Sequence, residues 1–151
     1  MLSISINGRI ANKKAVYAFT DAVCYNLMPR IKRNVSINIQ VVTRCDKEHS
    51  ALCWGDRECA EIEIARRSFD TVFTLEEMMV NLAHELVHAK QFIKGELHPN
   101  LHKWKKVDYS NTPYDNLPWE KEAYLLEQEL YKKYWKTNGK ISTKKSKQVT
   151  Y

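Results

Sequence analysis

Apolar residues recur along this chain with two different periods, and the switches between them mark out its elements. Leu75, Met78, Met79, Leu82, Leu86, Ala89 and Ile93 fall at i, i+3, i+4 and i+7 spacing. That spacing predicts a helix over about 75–93 with one core-facing stripe. Thr74 followed by Glu77 reads as a capping box at its start, and Gly95 lies just past its last apolar turn. Ala15, Val16, Phe19, Val23 and Leu27 predict an earlier helix over about 13–28, stopped by Pro29. Trp119, Ala123, Leu126, Leu130 and Tyr134 predict a last one over about 118–135. Between the first two helices the period falls to two. Residues 35–41 (Val-Ser-Ile-Asn-Ile-Gln-Val) and 60–65 (Ala-Glu-Ile-Glu-Ile-Ala) alternate as half-buried strands do. Residues 45–58 look mixed and turn-prone, and a polar loop follows the second helix as far as Pro118. The order of elements predicts an α+β fold without internal repeats.

A chain of 151 residues with 44% hydrophobic content suits one domain with a real core. It contains no run of 18 apolar residues, so no membrane partner is expected. The first eight residues lack the charged-then-apolar order of a signal peptide, which predicts residence in the cytoplasm of the producing cell. Cys24, Cys45, Cys53 and Cys59 follow no Cys-x-x-Cys spacing, so free thiols are expected; a zinc knuckle from the last three is the weaker alternative. The net charge of +6 is unevenly placed. Five lysines and no acid lie in residues 136–151, and setting them aside leaves +1 for residues 1–135. The expected organisation is therefore a folded domain over 1–135 and a basic, disordered tail over 136–151. Such a tail is a solubilising terminus or a weak, salt-sensitive nucleic-acid contact.

The candidate chemistry lies on the helix at 75–93, whose polar side carries Asn81, His84, His88 and Gln91 where a soluble helix ordinarily shows Lys or Glu. His84-Glu85-Leu86-Val87-His88 is a His-Glu-x-x-His motif. Four helical residues separate the imidazoles by about 40° in azimuth and about 6 Å along the axis, so both reach one metal ion. Glu85 then stands beside the site as a general base. A catalytic zinc takes three protein ligands, so a third is required. Candidates are His98, His102, Glu96, Glu120 and Glu122. The final helix is favoured, because it covers the metal helix and holds a ligand more rigidly than a loop does. On it, Glu120 has the small Ala123 on its own face, permitting close approach. His102 and Glu122 remain as alternatives, and acids in a first turn also serve the helix dipole without any metal.

The motif at 84–91 (His-Glu-Leu-Val-His-Ala-Lys-Gln), Gly95-Glu96-Leu97, Trp104-Lys105 and the run Pro118-Trp119-Glu120-Lys121-Glu122-Ala123 together resemble a family of small bacteriophage-encoded metallopeptidase-like proteins, described as SprT-like or minimal gluzincin-like. The resemblance spans roughly Cys53 to Tyr124. It implies a zincin-like fold, a small mixed sheet packed on the metal helix and a C-terminal helix. It also implies zinc on His84, His88 and Glu120. The implied activity is peptide-bond hydrolysis by a zinc-activated water, with Glu85 as general base and a peptide or protein as substrate. Tyr109, Tyr114 and His98 are candidates for a further oxyanion donor. The strand at 60–65 is the expected docking edge for an extended peptide. In the gluzincin pattern Glu-x-x-Ala/Ser-Asp/Asn, the last position is Tyr124 here, which leaves the partner of a histidine ligand unassigned. SprT-type proteins use a third histidine, which retains His102. Other functions compatible with these residues are a DNA-associated protease acting on DNA-bound proteins, a non-catalytic binding or inhibitory protein on the same scaffold, and a nucleic-acid-binding module with an incidental motif.

Overall fold

The computed structural model describes residues 1–136, an α+β arrangement of a four-stranded mixed sheet, a two-stranded ribbon and three α-helices. The basic tail assigned to 136–151 lies outside the described residues except for Lys136. Strand β1 (Leu2–Asn7) leads into helix α1 (Lys13–Leu27), which returns the chain to β2 (Val35–Val42), parallel to β1. β3 (Ala51–Gly55) and β4 (Cys59–Ala65) form a hairpin whose second strand pairs parallel with β2. The sheet order is β1-β2-β4-β3. Helix α2 (Leu75–Ile93), the ribbon β5 (Lys103–Trp104) and β6 (Val107–Asp108), and helix α3 (Pro118–Tyr131) complete the chain, with one π-helical turn at Lys132–Lys136.

The period-two strands sort their side chains as the pleat requires. Val35, Ile37, Ile39 and Val41 of β2, with Ala60, Ile62 and Ile64 of β4, are buried in one core with Phe19, Met79, Leu82 and Leu86 of the helices. Burying each of the larger side chains contributes about 1.5–3 kcal/mol. The opposite face of the sheet is polar. Ser5 Oγ donates to Asn38 Oδ1 at 2.8 Å, and Asn38 Nδ2 donates to Glu61 Oε1 at 2.9 Å, a ladder across three strands.

Both predicted strands are present, and two further strands join them in the four-stranded sheet. β1 alternates at Leu2, Ile4 and Ile6, and β3 occupies the stretch expected to be turn-prone. β3 also takes the sheet edge that residues 60–65 were expected to offer. Those residues lie in β4, which is hydrogen-bonded on both sides, so the free edge nearest α2 belongs to β3. The last helix also ends earlier than periodicity suggests, giving way at Lys132 to the π-helical turn that seats Trp135 against Phe19. Among the described residues no helix is long and apolar enough to cross a membrane.

Helix α2 is fixed at both ends. Thr74 Oγ1 accepts from the Glu77 amide at 3.1 Å, and Glu77 Oε1 accepts from the Thr74 amide at 2.8 Å, closing the capping box. At the other end Gly95 takes φ +74°, a left-handed turn natural to glycine, and the Glu96 and Leu97 amides fold back onto the Gln91 carbonyl. Leu97 thereby joins Phe92, Trp104 and Trp119 in a small second core. That core ties the long loop to the end of α2 and to the start of α3.

Candidate metal centre

Helix α3 lies across α2, and the fully buried Ala123 lets the two approach closely. Three donor atoms converge between them. Glu120 Oε1 lies 3.1 Å from His84 Nε2 and 3.3 Å from His88 Nε2, and the two Nε2 atoms are 3.2 Å apart. Metal–ligand bonds of about 2.0–2.1 Å at tetrahedral angles place ligand atoms roughly 3.3 Å apart, so the triangle has the size a zinc ion needs. Among the described residues, this is the one group of three metal-ligating side chains drawn this close together.

The outer nitrogens decide what the inner ones present. His84 Nδ1 is 3.0 Å from Glu127 Oε1, and His88 Nδ1 is 2.7 Å from Gln91 Oε1. The Gln91 amide can point only one way, because its Nε2 donates to the Trp119 carbonyl at 3.0 Å and to Glu122 Oε1 at 3.1 Å. Carboxylate and amide oxygen are acceptors, so both Nδ1 atoms carry hydrogen, and each neutral imidazole turns an Nε2 lone pair inward. Two lone pairs and a carboxylate oxygen then face one another. Only protons or a metal cation can hold them together. The cluster could hold a metal ion on the chemistry of its donors alone.

Without a metal, protons do this work. Burial pulls the His84 pKa down, but the hydrogen bond it donates to Glu120 and the carboxylates of Glu85 and Glu127 outweigh it and raise it to about 9. For His88, too, burial is opposed and outweighed by Glu120 and Glu85. Burial acts to raise the Glu120 carboxyl, yet the two imidazoles hold it well below its ordinary value. A raised folded-state pKa stabilises below the unfolded value of about 6.5 and is lost as pH climbs through the folded one. Chelated protein should therefore lose melting temperature between about pH 6.5 and 9. Over the same window its metal affinity should rise, as the metal no longer competes with these protons. Thermal scans and metal titrations across that range check both signs; a chelated protein that gains stability there would remove the protonated-histidine account.

The remaining candidates fall into distinct places. Glu85 is buried beside the triangle, and desolvation raises its carboxyl above the usual range although His88 and His84 pull it down. Glu122 is not in the triangle: it accepts from Gln91 and from Lys90 Nζ at 2.9 Å, and Lys90 also meets Glu96 at 2.8 Å. His102 is exposed in the loop outside the cluster, and His98 Nδ1 accepts from the Asn100 amide. Cys45, Cys53 and Cys59 are free thiols and form no metal-sized group. Of the three oxyanion candidates, Tyr109 packs edge-on against Trp119, whereas Tyr114 lines the cleft with His84, Glu85 and Glu120. Tyr124, the departure from the gluzincin pattern, lays its ring against His84 with centroids 4.6 Å apart. The carboxylate that supports His84 stands three residues later, at Glu127. It shares a helix face with Glu120 through i+7 spacing, a signal present in the sequence.

The cleft over the triangle has a volume of about 320 Å³. Ala51, Leu52 and Cys53 of β3 line it together with Leu97, Leu101, Leu117 and Trp119. No family model matches the chain, and no curated protein or solved structure is significantly similar to it.

Proposed function

We propose that this chain is a zinc-dependent peptidase with a zincin-like fold. The observation that carries the proposal is the convergence of His84 Nε2, His88 Nε2 and Glu120 Oε1 at 3.1–3.3 Å, beside the buried carboxylate of Glu85 and at the floor of an open cleft. Zinc suits two imidazoles and one carboxylate, and when bound it supplies Lewis-acid activation of a water and of the scissile carbonyl.

The chain's own residues supply the rest. Glu127 and Gln91 hold the imidazoles in the ligating tautomer. Glu85 accepts the proton of the attacking water and passes it to the leaving amine. Burial raises the Glu85 carboxyl, which favours its holding the proton between the two steps. Tyr114 donates its hydroxyl to the oxygen on which charge develops. Burial, the 3.3 Å contact to the Tyr124 hydroxyl and the charge of Glu120 push its pKa up, so it stays a protonated donor. The free edge of β3 pairs with the substrate backbone, so main-chain hydrogen bonds place the peptide over the metal with little demand on side chains.

Incubation of zinc-loaded protein with a mixture of unstructured peptides, read by mass spectrometry, tests the reading. New termini should form, cease with a zinc chelator and return when zinc is restored. A fully metallated protein that cuts no peptide in the mixture would leave the scaffold as a binding module.

A further inference from the structure

A second hollow of about 280 Å³ lies beyond the metal cleft, and Phe92 and Leu97 line both. Its polar lining is mostly cationic: Arg57, Lys103 and Lys106, with His98 beside them. Glu96 is the one acid in the lining, and its carboxylate is already committed to Lys90. Among the described residues, neither Arg57, Lys103 nor Lys106 has a carboxylate within ion-pair distance.

The backbone is arranged to keep these charges together. Gly95 at φ +74° leaves room for Arg57; a Cβ there would stand 3.0 Å from the guanidinium Nη1. Lys105 and Lys106 occupy the tight turn between β5 and β6 at φ 48° and 73°. Two successive left-handed positions in a hairpin favour Asn-Gly, so lysines there carry a conformational cost. The hollow also adjoins the cleft along the chain. β3 lines the cleft at Ala51–Cys53 and ends at Gly55, and Arg57 stands in the turn that follows, before β4 begins at Cys59. A peptide paired along the free edge of β3 would run from the cleft towards the turn that carries Arg57.

We propose that this hollow is an acid-selecting subsite, taking an Asp or Glu side chain of the peptide substrate a few residues to one side of the scissile bond. The proposal rests on the peptidase reading, and its test separates the two. Fluorescein-labelled decapeptides, each with a single Glu at successive positions, are titrated against zinc-loaded Glu85→Gln protein alongside the matching Gln series. Glu should tighten binding at least fivefold over Gln at one or two adjacent positions. That preference should vanish in Arg57→Gln/Lys103→Gln/Lys106→Gln and shrink in the single exposed variant Lys106→Gln. Glu and Gln series that behave alike, or a preference that survives the triple substitution, overturn the subsite. So does a single-stranded DNA oligonucleotide that binds the same three residues more tightly than any peptide, since the hollow would then be a phosphate site. Cleavage of the same peptides by wild-type protein is scored separately. Cleavage without Glu preference leaves the peptidase and removes the subsite; Glu preference without cleavage does the reverse.

Discussion

Glu120→Ala is expected to abolish metal binding in a protein that otherwise carries about one zinc per chain. The substitution leaves His84 and His88 as the only protein ligands and removes the acceptor atom common to the 3.1 and 3.3 Å contacts. The loss should exceed the roughly 10–100-fold that removal of an outer hydrogen-bond partner costs, and Glu127→Gln, which alters such a partner of His84, supplies that scale in the same experiment. His102→Ala, in an exposed loop position outside the triangle, should retain the metal in full. Elemental analysis of dialysed protein distinguishes the cases. Zinc retained in Glu120→Ala but lost in His102→Ala would assign the third ligand to the loop histidine. Thermal stability should report the same event, since a ligand at a thousandfold above its dissociation constant adds about 4 kcal/mol to the folded state. Wild-type protein should therefore melt higher with zinc than with chelator, whereas Glu120→Ala should show no such difference.

The helix that bears the motif was legible in the sequence because its limits are set locally. Thr74, Glu77 and Gly95 act within a turn of their own positions, and the bounds Leu75–Ile93 follow from them. β2 and β4 were legible for a related reason, since alternate burial is written in every second residue. β1 has the same alternation at Leu2, Ile4 and Ile6, but over only six residues at the very start of the chain. β3 has no such signature. Its residues are neither cleanly inside nor outside, because an edge strand beside a cleft is half covered on both faces. Strand order was beyond reach, since the partners β2 and β4 lie over twenty residues apart and nothing local specifies that β4, not β3, becomes interior.

The site divides along the same line. The three donors His84, His88 and Glu120 could be brought together from motif spacing and helix faces, because a four-residue helical interval is itself a distance. Their supporting groups depend on how α2 and α3 cross. Gln91 read as one more polar residue on the metal face, yet it is fully buried and joins His88 to Trp119 and Glu122. Lys90 is buried between Glu96 and Glu122. These groups become a network only when the Leu97 turn and the start of α3 close over the helix end.

Glu85→Gln carries the sharpest consequence for activity. The amide keeps the shape of the side chain and cannot take a proton from water, so cleavage should fall by on the order of a thousandfold. Metal content should remain at the wild-type level, because Glu85 is not in the triangle of donors. Stability should not suffer either. Burial already disfavours the Glu85 carboxylate, so a neutral side chain of the same size relieves a desolvation cost. The expected signature is thus a protein with full zinc, an unchanged or higher melting temperature and almost no hydrolysis. A lowered melting temperature together with lost zinc would mean that Glu85 holds the site together, and the activity loss could then not be assigned to proton transfer. Wild-type cleavage that persists in Glu85→Gln would exclude Glu85 as the base. Among the other carboxylates around the triangle, Glu120 is committed to the imidazoles and Glu127 to the outer nitrogen of His84, so a new base would have to come from the substrate or from solvent.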